Sequence, residues 1–249
     1  RQLQFFVELL KKQDKSFQTV NPRYLEFLSA LCSCNEKPIV KNQDFITLKL
    51  FGENSGLLSH LLIPYAKQGN ICVKINDCEY DIATFVKTAN SYYILEYFQR
   101  SIDLLASLCL GRNMNSILLI SKLLPYEMVL SFIMNEELTN DLRSSFCFLL
   151  LHAYIDVAPY AKTDLIVYTR KWADIHKEDT VRRQFKELKS FMRQYFMDSQ
   201  TLDVDHVQRN KFLLVLVRLC RQLFEFNIFV EIREIIGILK YLIKILNGK

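Results

Sequence analysis

The sequence predicts an all-α protein: an irregular, armadillo-like helical solenoid of about ten helices interrupted by one small β-hairpin. Three observations carry this. Only six Gly and five Pro punctuate 249 residues, too few for the tight turns of a sheet protein. Half the residues are apolar, enough for a sizeable buried core. Those apolar residues recur at helical spacing along most of the chain.

Leu3, Phe6, Val7 and Leu10 place one apolar stripe on a helix over 3–12. Asn21-Pro22 sets the next start, because Asn caps and Pro lacks an N–H that a first turn leaves unpaired anyway. Tyr24, Leu25, Leu28 and Leu31 then share one face. Shorter helices are expected over 43–51 and 55–67. Ile71–Ile75 and Cys78–Ile82 alternate with period two around Asn76-Asp77, the pattern of a hairpin. From Tyr92 the helical period returns through Ile94, Tyr97, Phe98, Leu105 and Leu108, and Gly111 stops it. Helices follow over 115–124, 126–134, 138–155, 163–175, 180–197, 201–225 and 230–246, with Pro125 and Pro159 at boundaries and Asn247-Gly248 as a C-terminal stop. No strict period of 34 or 40 residues appears, so the repeats are irregular. The expected organisation is a first helical group with the hairpin over 1–90 and a main helical domain over 91–249.

Composition narrows the function classes. Seven scattered Cys, an odd number, and no Asn-x-Ser/Thr acceptor fit a reducing compartment. No run reaches the roughly 18 apolar residues of a membrane span, so this segment is not expected to cross a bilayer. The chain begins at Arg1 inside a helical pattern with no leader, which reads as a piece of a larger protein. The formal charge of +5 is interleaved with acids, so nucleic acid is not an expected partner.

No constellation of residues calls for an enzyme. Cys32, Cys34, Cys72 and Cys78 have the wrong spacing for zinc knuckles and read as ordinary thiols. His60, His152, His176 and His206 sit in no nucleophile motif, and no phosphate loop or His-Glu-x-x-His is present. Asp203-x-Asp205 opens like a calcium loop. Gln208 and Leu214 then occupy the positions that need Gly and Glu, so the pair reads as a helix start. No catalytic residue, metal or cofactor is expected. The charge feature with most content is Arg182, Arg183, Lys186, Lys189 and Arg193, around the stripe Phe185, Leu188, Phe191 and Met192. A solvated helix face is the plain reading; a docking face for an acidic partner or a neighbouring subunit is the sharper one.

Three stretches carry a family resemblance. Asn21-Pro22-Arg23-Tyr24-Leu25-Glu26-Phe27-Leu28-Ser29-Ala30-Leu31-Cys32 resembles a segment of inositol trisphosphate receptors, as do Asp141-Leu142-Arg143-Ser144-Ser145-Phe146-Cys147 with Leu151-His152 and Asp156, and Tyr168-Thr169-Arg170-Lys171-Trp172. They occur in family order, and ryanodine receptors match more distantly. Asp156-Val157-Ala158-Pro159 lacks the extra Arg and Asp that follow in the family. The resemblance implies a cytosolic segment, downstream of the ligand-binding core, of a homotetrameric calcium-release channel of the endoplasmic reticulum. It implies partners among the other domains and subunits of that channel, and regulatory proteins. The family's ligand-contacting residues fall upstream of Arg1, so none is carried over. Asp141, Arg143, Phe146, His152 and Trp172 are then expected to be structural. The competing reading is a stand-alone helical scaffold that binds a protein or peptide.

Overall fold

The computed structural model describes residues 2–12, 21–35, 37–52, 57–67, 70–75, 78–82, 84–85, 92–157, 185–199, 202, 205–226, 228–229 and 232–247. Among them the architecture is all-α with small β insertions. The described residues include ten α-helices: α1 (Gln2–Lys11), α2 (Pro22–Ala30), α3 (Val40–Phe51), α4 (Tyr92–Leu108), α5 (Met114–Leu123), α6 (Tyr126–Met134), α7 (Asn140–Leu150), α8 (Lys186–Asp198), α9 (Val207–Glu225) and α10 (Ile232–Asn247). The chain divides into two compact units, 1–157 and 158–249. The division expected from the sequence lies instead at 90 and 91, between the sheet and α4.

In the first unit α4 is the axial helix. Tyr97, Phe98, Ile102, Leu104, Leu105 and Leu108 are all fully buried, so its apolar residues face inward nearly all round. It packs on α2 and on α7, and α7 packs in turn on α6. The caps follow from sequence. The side chain of Asn21 accepts from the Arg23 N–H ahead of Pro22, Asn113 caps α5 through Ser116, and Thr139 caps α7 through Leu142. After α7 the helix widens into a π-helical segment at Leu151–Ile155, closed by the Asp156 N–H donating to the Leu151 carbonyl at 2.7 Å. The sequence expectation of one continuous helix to 155 missed this change of hydrogen bonding.

The hairpin is larger than expected. β4 (Asn70–Ile75) pairs antiparallel with β5 (Cys78–Asp81) in the register Ile75 to Cys78, as the alternation requires. A further strand, β3 (Pro64–Lys67), completes a three-stranded meander in the order β3-β4-β5. The helix expected over 55–67 is therefore corrected to a 3-10 turn at Leu57–His60 followed by β3. Pro64 suits this placement, because it cannot donate to a helical ladder yet is tolerated on an edge strand. A two-residue antiparallel pair, β1 (Ser33–Cys34) with β2 (Lys37–Pro38), lies between α2 and α3.

In the second unit α8 packs on α10, and Tyr195 of α8 meets Phe212 of α9 edge-on at 5.2 Å. Helix α9 begins at Val207 rather than near 201. Among the described residues no single helix is long and apolar enough to cross a membrane; α5 and α6 pass such a test only as a pair bent by 70°. That pair buries Ile117, Ile120, Val129 and Ile133 against the rest of the unit.

Candidate functional site

The first unit contains a core of buried polar and charged groups that lock its helices to one another. Arg143 is the clearest member. It sits on α7, is 4% exposed, and its Nε donates to the Ile133 carbonyl at 2.9 Å. Ile133 lies in the last turn of α6, where carbonyls have no partner within the helix and a cation is favoured. Arg143 therefore caps the neighbouring helix, and its Nη1 also reaches Asn140 Oδ1 at 3.4 Å. Phe146, one turn later, stacks on Phe132 of α6 at 4.1 Å and lies edge-on to Phe98 of α4 at 6.1 Å. The Asp-Leu-Arg-Ser-Ser-Phe run thus brings α4, α6 and α7 together. Asp141 occupies the first turn of α7, where its charge suits the helix N-terminus, and its carbonyl accepts from the Ser145 hydroxyl.

A charged ladder that sequence reading missed joins α4 to α2 on another side. Arg100 of α4 lies 3.5 Å from Glu26 of α2 and 3.6 Å from Asp103 one turn on. Burial pushes the Asp103 carboxyl up, against the Ser145 hydroxyl and Arg100, which pull it down. Glu26, Arg100 and Asp103 are charges of ordinary type at ordinary spacing. Nothing in one dimension marks α2 and α4 as neighbours.

At the far end of α4, the buried Gln43 of α3 donates through Nε2 to the carbonyls of Ser107 and Leu110, each at 3.0 Å. Asn113 Nδ2 bridges back to Gln43 Oε1 and Asp44 Oδ1. Thr47 and Ser116 share a 2.7 Å hydrogen bond between α3 and α5. These side chains satisfy the carbonyls where α4 ends and the chain turns at Gly111, whose φ of +69° few other residues adopt readily.

The π segment carries the family-like His152, and Asp156 follows as its C-cap. Asp156 pairs with Arg112 Nε at 2.9 Å, and Tyr154 donates to the Leu124 carbonyl. So Asp156 has a partner within the unit although the following family charges are missing. His152 is half-buried, edge-on to Phe148 at 4.6 Å, and its Nδ1 is shut from solvent without a hydrogen-bond partner. Burial depresses its pKa to about 4, with Asp156 acting weakly in the opposite direction.

Four of the thiols, Cys32, Cys109, Cys147 and Cys220, are buried. All seven cysteines are free, and burial pushes Cys32, Cys109 and Cys220 up to about 12 and Cys147 higher still. Cys32 donates to the Leu28 carbonyl at 3.3 Å. Among the described residues no group of three or more His, Cys, Asp or Glu is placed to hold a metal.

The basic run on α8 divides. Lys186 and Arg193 are exposed, whereas Lys189 turns inward to Glu234 of α10 at 3.3 Å and lies over the Phe229 ring. Arg182, Arg183 and Trp172 fall outside the described residues.

Comparison with known proteins bears on this arrangement. Residues 1–62, spanning α1 to the end of the 3-10 turn, match the RIH domain model of ryanodine and inositol trisphosphate receptors. An inositol 1,4,5-trisphosphate receptor-like protein A of Dictyostelium discoideum is 27% identical over 182 residues. Along these residues the chain is similar to the inositol trisphosphate and ryanodine receptor family. The match covers 72% of this chain but only 5% of that relative, which is a far longer protein. Within the RIH-matched residues, Pro22, Leu25 and Leu28 are the buried residues of α2, which packs on α4, and Cys32 is buried just beyond its end.

Proposed function

We propose that this chain is a non-catalytic coupling and regulatory segment of an inositol trisphosphate-gated calcium-release channel, passing ligand-induced motion toward the pore. The observation that carries the reading is the locked α2–α4–α7–α6 stack, in which Arg143, Phe146, Glu26, Arg100 and Asp103 tie successive helices together. Rigid-body transmission needs packed elements that move as a unit, not a reactive group. In this reading the full-length channel is a homotetramer at the endoplasmic reticulum, and this segment is an armadillo-like region on its cytosolic face; the similarity to a receptor-like protein supports the channel context.

The test uses the full-length protein. Arg143→Ala should loosen α6 from α7 and raise the inositol trisphosphate concentration needed for half-maximal calcium release several-fold. The affinity of the upstream ligand site should change less than the release threshold, because most of its binding free energy is local to that site and only the part coupled to opening is lost. Unchanged release, or a ligand affinity that falls in parallel with release, would sink the coupling reading.

A further inference from the structure

Helix α10 presents two unlike faces. Ile238 and Ile245 are buried within the second unit, and Glu234, on the same side, pairs with Lys189 of α8. On the opposite side Ile232, Ile236, Leu239, Ile243 and Leu246 are 46–71% exposed. Their spacing is four, three, four, three. That is the a/d repeat of a coiled-coil seam, with Ile at a and Leu or Ile at d, extending about 21 Å along the helix. An isolated exposed Leu needs no explanation, but five aliphatic residues in one register do.

The seam has an asymmetric border. Arg233 and Lys240 take the e positions on its solvent side, and Lys244 follows next to them, all three exposed. The other border turns back through Ile235 and Leu242, both half-buried. From 185 to 247 the described residues include ten Lys or Arg against five Asp or Glu. The environment of the seam is therefore positive on the one side where a partner's charges can meet it.

We propose that this face of α10 docks an amphipathic helix whose apolar stripe is flanked by Asp or Glu. Charge selects this occupant over a second copy. Antiparallel self-pairing sets Arg233 and Lys240 against their own counterparts, and parallel self-pairing sets them against Ile235 and Leu242. Seam width selects it over a lipid surface. The exposed apolar arc is a narrow a/d stripe with no aromatic residue, whereas interfacial helices bury a broad apolar face. This inference does not rest on the coupling role, since it needs only the exposed register and its charges.

The experiment titrates the full 249-residue chain with two labelled synthetic helices that share one Ile/Leu heptad repeat and carry either Glu or Lys at the flanks. Fluorescence anisotropy should show the Glu peptide binding at least tenfold tighter than the Lys peptide. Ile236→Gln with Ile243→Gln should weaken that binding at least tenfold, and Arg233→Glu with Lys240→Glu should reverse the preference. Every substituted side chain is exposed, and far-ultraviolet circular dichroism of the variants confirms that α10 persists. Equal binding of the two peptides, no binding of either, or an unreversed preference in the charge-swap variant overturns the proposal. Dimerisation in sedimentation velocity, or flotation with anionic vesicles, that is abolished by the Ile236/Ile243 variant also overturns it, in favour of a second copy or a membrane respectively.

Discussion

Arg143 shows how much one side chain contributes to this architecture. Its guanidinium occupies a site with almost no water and satisfies the Ile133 carbonyl at the end of the neighbouring helix. Arg143→Ala removes the donor, leaves that carbonyl buried and opens a void. The expected cost is about 2–4 kcal/mol, read as a lower urea midpoint for unfolding of the first unit. His152 gives a pH dependence with a defined sign. Its folded pKa of about 4 lies below the ordinary value of 6.5, so the unfolded chain binds the proton more readily. Stability is thus at full value above about pH 6.5 and falls as pH drops toward 4. In His152→Phe, which keeps the ring contact with Phe148, that fall should be shallower in thermal melts across this range. An unchanged slope would assign the pH dependence to carboxylates instead.

At the scale of elements, two glycines make opposite predictions. Gly111 ends α4 with a positive φ, and a Cβ there would stand 2.3 Å from Pro38 Cγ of β2. Gly111→Ala should destabilise the first unit by about 1–3 kcal/mol, because strain and a steric clash act together. Gly237 lies inside α10 with nothing within 4 Å of where a Cβ would stand. Gly237→Ala should therefore stabilise that helix by about 0.5–1 kcal/mol, seen as a higher melting midpoint for the second unit. A destabilised Gly237→Ala chain would mean that the backbone of α10 is approached closely in solution. Helix starts were legible at this scale: Asn21-Pro22 caps and begins α2 as its residues require. The π segment at Leu151–Ile155 was not, since its hydrogen-bond shift answers to the packing of Tyr154 and Asp156 on residues about 30 to 44 positions away.

At the scale of the whole molecule, the coupling reading predicts that this chain holds no ligand site of its own. Calorimetric titration with inositol trisphosphate should give no binding heat. Micromolar binding would move the ligand site into this segment and remove the reason for assigning it to transmission.

The amino-acid sequence alone determined the helical class, most helix starts and the β4–β5 register, because caps, periodicity and alternation act over a few neighbouring residues. It also carried the receptor-family resemblance in local runs such as Asn21–Cys32 and Asp141–Cys147. Only the tertiary structure decided that Pro64 leads a third strand, that Lys189 turns to Glu234 while Lys186 and Arg193 remain exposed, and that Glu26, Arg100 and Asp103 form one ladder. It also decided which face of α10 stays open. The physical reason is common to all four. A helix with apolar residues on two sides has no internal criterion for which side to bury, and a charge has none for which partner to choose. Both choices depend on which surfaces distant parts of the chain bring within a few ångströms.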